Sequence, residues 1–194
     1  MKSTFSLLIL LLIWLNPVNL YSQPEVLIVY HSVTGNTERM AGAVMRGAHD
    51  VEGVSVVLKS TADVTEADLL SADAIIVGSP VYNANVSPEI SSFFASWPFE
   101  GEPLRNKIGA AFVTAGGISA GEEIVQMNIL KSMLVFGMIV VGGPDWTQPF
   151  GASAITSEEP FGSDNELGID KQFLDKGEAL GRRVAEITIQ FVGK

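Results

Sequence analysis

Two hydrophobic rhythms alternate along this chain. Short continuous apolar runs rich in β-branched residues recur at Val26–Tyr30, Gly53–Lys59, Ala74–Gly78, Ile108–Thr114 and Met138–Val141. Runs of this length that lack polar interruptions suit strands buried on both faces, as in the middle of a parallel sheet. Between them the apolar residues recur every three or four positions. Met40, Val44 and Ala48, with Ala41 and Met45 beside them, predict a helix from about Thr37 to Asp50. Thr65 caps a short helix through Leu70, and Ser87-Pro88 opens another that runs to about Trp97 with Ile90, Phe93 and Phe94 facing the core. Glu122–Phe136 reads as an amphipathic helix, and Asp170–Val192 closes the chain as a helix. Gly142–Asn165, which carries Pro144, Pro149, Pro160 and several glycines, reads as one long functional loop.

Strands that alternate with helices predict an α/β fold, and the handedness of βαβ crossovers makes it a doubly wound five-stranded parallel sheet with helices on both faces. The loops after the first, third and fourth strands then converge at the carboxyl edge, where such sheets bind ligands.

The first of these loops, His31-Ser32-Val33-Thr34-Gly35-Asn36-Thr37, joins a buried strand directly to a helix. Free backbone N–H groups and the positive end of the helix dipole are therefore aimed at one spot, which suits a phosphate. The loop has neither the spacing nor the lysine of a nucleoside triphosphate loop, and the G-x-G-x-x-G dinucleotide pattern is missing. The donors that remain are neutral: the hydroxyls of Ser32, Thr34 and Thr37, the amide of Asn36, and backbone N–H groups around Gly35. A capped βα turn with no ligand is the competing reading of this loop taken alone.

The first 23 residues differ in kind from the rest. Met1–Thr4 with a single Lys2, the apolar run Phe5–Leu15, and a polar exit through Asn16-Pro17 to Gln23 form the three regions of a secretory signal peptide. The expectation is a leader over residues 1–23 ahead of one domain over 24–194, exported to a periplasmic or extracellular space. An uncleaved membrane anchor is the alternative. Cysteine is absent, which excludes disulfides and a lipid-modified leader cysteine. The formal charge is −10, and loss of Lys2 with the leader would deepen it by one. So acidic a surface disfavours nucleic acid and anionic membrane; keeping a small exported protein soluble is the leading explanation of it, and steering a basic redox protein partner is the alternative.

The second loop, Ser79-Pro80-Val81-Tyr82-Asn83-Ala84-Asn85, offers a flat aromatic and several amides. The third, Ala115-Gly116-Gly117-Ile118-Ser119-Ala120-Gly121, lets backbone approach a ligand closely. Four ordered matches now give a resemblance. Ser32–Thr37 resembles the [ST]-x-T-G-x-T phosphate loop of the flavodoxin-like family, and Gly78–Tyr82 resembles G-[ST]-P-x-[YR]. Thr114–Glu123 resembles the second flavin loop, and Gln148–Ala152 resembles P-[YF]-G-A. From about Glu25 onward the chain resembles the flavodoxin-like NAD(P)H:quinone oxidoreductases, the WrbA-like branch of the flavodoxin superfamily.

That resemblance implies FMN as cofactor and NAD(P)H as electron donor. It places Ser32, Val33, Thr34, Gly35, Asn36 and Thr37 at the FMN phosphate. Pro80, Val81, Tyr82 and Asn83 would flank the isoalloxazine, while Thr114, Ala115, Gly116, Gly117, Ile118 and Ser119 would meet the ribityl chain and the pyrimidine end. Two departures stand out. The long insertion the family carries after its second strand, tied to its oligomer, is replaced by the short Ser60–Ser71. Phe136 stands where the family places a flavin-side histidine.

No acid–base or metal-ligand constellation emerges from the two histidines, His31 and His49, or from the spacing of the carboxylates. None is required, because hydride transfer is the flavin's chemistry. The leading reading is an FMN-dependent oxidoreductase passing reducing equivalents from NAD(P)H to a quinone or similar acceptor. A flavodoxin-type electron carrier and an exported flavin-binding module without turnover are the alternatives.

Overall fold

The computed structural model describes residues 23–161 and 168–192. Apart from Gln23, the leader lies outside the described residues. The elements follow in the order β1 Glu25–Tyr30, α1 Asn36–His49, β2 Ser55–Ser60, α2 Glu66–Ser71, β3 Ala74–Pro80 and α3 Pro88–Ala95. Then come β4 Ile108–Ala115, α4 Glu122–Val135, β5 Ile139–Val140, β6 Ala152–Ile155 and α5 Lys171–Val192. All strands are parallel, in the order β2-β1-β3-β4-β5, so the order reverses between β1 and β3.

The apolar runs of the central strands β1, β3 and β4 are buried on both faces because their side chains alternate between two cores, while the edge strand β2 is half-buried along its length. Val26 and Ile28 of β1 join Ile76, Ala110 and Phe112 under α1 and α5. Their neighbours Leu27 and Val29 join Ile75, Val77, Ala111 and Val113 under α2, α3 and α4. Local sequence signals set the helix starts. Thr65 and Asp68 form a reciprocal capping box at α2, and Ser87 accepts the N–H of Ile90 at 3.3 Å with Pro88 at the first helical position of α3. The aromatic cluster at the end of α3 extends one residue beyond its cap, with Trp97 packed edge-on against Phe93 at 5.5 Å.

Two expectations need correction. The fifth strand position is shared: β5 pairs with the foot of β4 (Ile108↔Ile139) and β6 with its top (Phe112↔Ala152), with the segment between them looping out of the sheet. Part of the stretch read as one long loop is therefore strand. Its prolines and glycines mark the excursion, and Gly151 marks the return, where any Cβ would lie 1.9 Å from the carbonyl oxygen of Ala111. The second correction concerns α4, which is apolar on both sides rather than amphipathic. Val125, Ile129 and Met133 are buried while Ile124, Leu134 and Val135 are exposed.

Candidate functional site

The carboxyl ends of β1, β3 and β4 bring the three loops to one edge, across the point where the strand order reverses. Gly35 occupies the N-cap of α1 with φ of 86°, a left-handed conformation in which its own N–H is accepted by Ser32 Oγ at 3.1 Å. This geometry directs the first-turn N–H groups of α1 out of the sheet. Thr37 turns inward, and its hydroxyl meets that of Thr114 at 2.8 Å, both side chains being buried. The first and third loops are joined by that contact.

The second loop is anchored at its base and free at its tip. Val81 donates to the carbonyl of Thr114 at 2.8 Å, and Ser87 donates its N–H to Ser79 Oγ at 3.0 Å. Tyr82 and Asn85 exchange two backbone hydrogen bonds at 2.9 and 3.0 Å around Asn83 and Ala84, which both take positive φ. The result is a tight reversed turn that presents Tyr82, 41% exposed, beside the first loop. Ala84 in turn packs where a Cβ on Gly121 would sit, 2.5 Å away, so the second and third loops also touch.

Between the loops lies a cleft of about 130 Å³ lined by Val33, Thr34, Asn36, Thr37, Pro80, Val81, Tyr82, Thr114, Ala115, Gly116 and Thr156. Ten of the sixteen residues predicted for the site line this cleft. Ser32 and Gly35 shape the first loop from behind, Asn83 forms the turn that carries Tyr82, and Gly117, Ile118 and Ser119 stand beyond the third loop's inner rim, against Glu158 and Glu122. A larger cavity of about 350 Å³ opens between Phe99, Leu104, Leu134 and Gly137. It lies at the amino edge, and the charged side chains there, Glu102 and Arg105, are paired with each other at 2.6 Å. The smaller carboxyl-edge cleft gathers neutral polar groups, Thr34, Asn36, Thr37 and Thr114, at the start of α1.

Phe136 belongs to that opposite edge. It caps α4 and packs on Trp97 at 5.2 Å and Phe99 at 5.8 Å, so within this chain it does not stand beside the three loops. A motif alignment carries no information about which end of a helix faces which edge of the sheet.

Two features of the site were not legible in the motifs. The Arg39 guanidinium donates to Asn36 Oδ1 at 3.1 Å and lies about 3.9 Å from the Cβ position of Gly35, which adds a cation beside a loop read as offering neutral donors. Its position three residues after Asn36 on a helix was the available signal. The other is Thr156, whose N–H and hydroxyl both donate to the carbonyl of Ala115, at 2.9 and 3.1 Å. Nearby charges are ordered too. Burial and its hydrogen bond to Glu38 push the Tyr30 phenol up, and the backbone N–H at the start of α3 holds the Glu89 carboxyl below the usual carboxylate range.

The donor set fits a flavin mononucleotide: a helix start for a phosphate, an aromatic wall, and a backbone rim. Residues 24–152 match the family described as NADPH-dependent FMN reductase. The chain belongs to this family. Among its relatives, a flavodoxin of Aquifex aeolicus is 35% identical over 178 residues, which span 87% of this chain and 89% of the relative. An NAD(P)H dehydrogenase (quinone) of Methylocella silvestris is 29% identical, covering 87% of this chain and 99% of the relative. The fold is that of a flavodoxin, WrbA-like protein from Agrobacterium tumefaciens, at a TM-score of 0.70 and 23% identity over 87% of this chain and 99% of that one. A flavodoxin from the domain Archaea superposes at 0.62 with 27% identity, over 84% and 98%.

Proposed function

We propose that this protein is an FMN-dependent oxidoreductase that takes reducing equivalents from NAD(P)H and delivers them to a quinone or a similar small acceptor. The observation that carries it is the single cleft in which the Gly35 helix start, the Tyr82 turn and the Thr114–Gly116 rim meet. Bound FMN would supply the hydride and electron chemistry. The chain's own part is to bind and orient. Thr34, Asn36 and the α1 N–H groups hold the phosphate, with Arg39 adding charge, while Thr37 fixes the first loop to Thr114. Val33 and Tyr82 line the cleft, are exposed, and offer an apolar rim to a flat acceptor.

A second reading, a flavodoxin-type electron carrier, is favoured by the 35% identity to the Aquifex flavodoxin and by the formal charge of −10, which suits a basic protein partner. Purified protein mixed with FMN, NADH and a benzoquinone separates the two. Sustained NADH oxidation that requires both FMN and quinone is the expected result. Tight FMN binding without turnover, with electrons passed from chemically reduced holoprotein to a basic protein acceptor, would favour the carrier, and failure to bind FMN would remove both.

The leader Met1–Gln23 supports export, and a chain exported without a twin-arginine signal crosses the membrane unfolded. FMN loading is then expected outside the cytoplasm, after folding. Fractionation with N-terminal mass and bound flavin measured in each compartment tests this. Full-length chain in the cytoplasm with Met1 retained and FMN already bound would refute it.

A further inference from the structure

The third loop is held from outside by a segment that follows β6. Thr156 donates its N–H to Ala115 and Ser157 donates its N–H to the carbonyl of Gly116 at 3.1 Å, so the β4–β6 ladder continues past both strands. One residue further on, the carboxylate of Glu158 accepts the N–H of Ile118 at 2.5 Å. The same oxygen lies 2.6 Å from where a Cβ on Gly117 would sit, so the carboxylate rests against the loop itself. The N–H of Phe161 closes the turn on the carbonyl of Glu158 at 2.8 Å. The backbone ladder already fixes this segment. The exposed carboxylate is thus an addition that folding does not require, placed on a peptide of the loop that the FMN reading gives to the pyrimidine end.

We propose that Glu158 is a positioning residue: it holds the Gly117–Ile118 peptide in place for the cofactor, and its charge sets the relative affinity of the site for reduced and oxidised FMN. This rests on the reading of the three loops as an FMN site. Two-electron reduction makes the pyrimidine end of a flavin more negative. A fixed carboxylate hydrogen-bonded to the neighbouring peptide therefore disfavours the reduced form and makes the bound cofactor a stronger reductant. The carboxylate is exposed and partly screened, which limits the effect to about tenfold.

The test compares wild type, Glu158→Gln, Glu158→Ala and, as a control for general loss of charge, Glu159→Gln. Oxidised FMN is titrated by fluorescence quenching, and the midpoint potential of the bound cofactor is measured against reference dyes. Glu158→Gln keeps an acceptor of the same shape, so oxidised FMN should bind within about threefold of wild type. Its affinity for reduced relative to oxidised FMN should rise about tenfold, equivalent to about 30 mV for a two-electron couple. Glu158→Ala should show the same positive shift and also lose about tenfold in FMN affinity, since the Ile118 peptide is released. Glu159→Gln should move the potential less. An unchanged or more negative potential in Glu158→Gln overturns the proposal, as does an equal shift in Glu159→Gln. If wild type binds FMN and the Glu158 variants behave like it, only the role of Glu158 falls. If wild type binds no FMN, the site reading falls and takes this inference with it.

Discussion

Gly47→Ala and Gly181→Ala are each expected to cost the fold about 3 kcal/mol, enough to move a urea midpoint down by about 1 to 2 M. Helices α1 and α5 cross with backbone against backbone at these two residues. A Cβ on Gly47 would lie 1.8 Å from the carbonyl oxygen of Glu178, and one on Gly181 would lie 1.9 Å from that of Val44. Carbonyls cannot rotate away as a flexible side chain can, so the helices must part. Parting them opens the core of Met40, Val44, Leu180 and Val184, all fully buried. Alanine has the opposite effect on the helix itself, favouring it over glycine by about 1 kcal/mol, and the clash outweighs that. Gly42 provides the internal control. Its Cβ would meet nothing nearer than the Arg46 guanidinium at 3.8 Å, so Gly42→Ala should stabilise by about 1 kcal/mol. Urea unfolding of the three variants decides it, and equal midpoints for Gly42→Ala and Gly181→Ala would show that the close approach carries no energy.

The second large effect is on ligand choice. FMN should bind at least about a hundredfold more tightly than riboflavin, because a charged phosphate at the first loop gains hydrogen bonds worth about 1.5 to 3 kcal/mol each. Thr34→Ala should then weaken FMN about tenfold or more and leave riboflavin unchanged. Thr37→Ala should behave differently. Its hydroxyl is already engaged with Thr114 at 2.8 Å in a buried contact, so the substitution should also lower the stability of the protein without ligand, by about 1 kcal/mol. Calorimetric titration with both ligands separates the cases. Equal affinity for FMN and riboflavin would sink the assignment of Ser32–Thr37 to a phosphate.

Much of this protein was written locally. The strand–loop–helix unit around Gly35, the cap at Thr65, the Ser87-Pro88 helix start and the apolar strands are each encoded within about ten residues, where hydrophobic period and capping chemistry act directly. From those signals the sequence by itself determined an α/β sheet and the three loops that meet at its edge. Contacts between distant parts of the chain decided the rest. That β6 returns to complete the fifth strand depends on pairing with Phe112–Ala115, forty residues away, and the strap of Thr156–Glu158 follows from that pairing. Gly47 and Gly181 look like ordinary weak points in two helices until the helices cross. Phe136 aligned with a flavin-side position, yet the packing of α4 put it at the far edge beside Trp97. Local patterns fix which element each segment becomes, because backbone preference and amphipathic period are properties of neighbours in sequence. Which backbones touch, and which charges come to lie beside a loop, depends on close packing between segments far apart in the chain, and only the tertiary structure settles that.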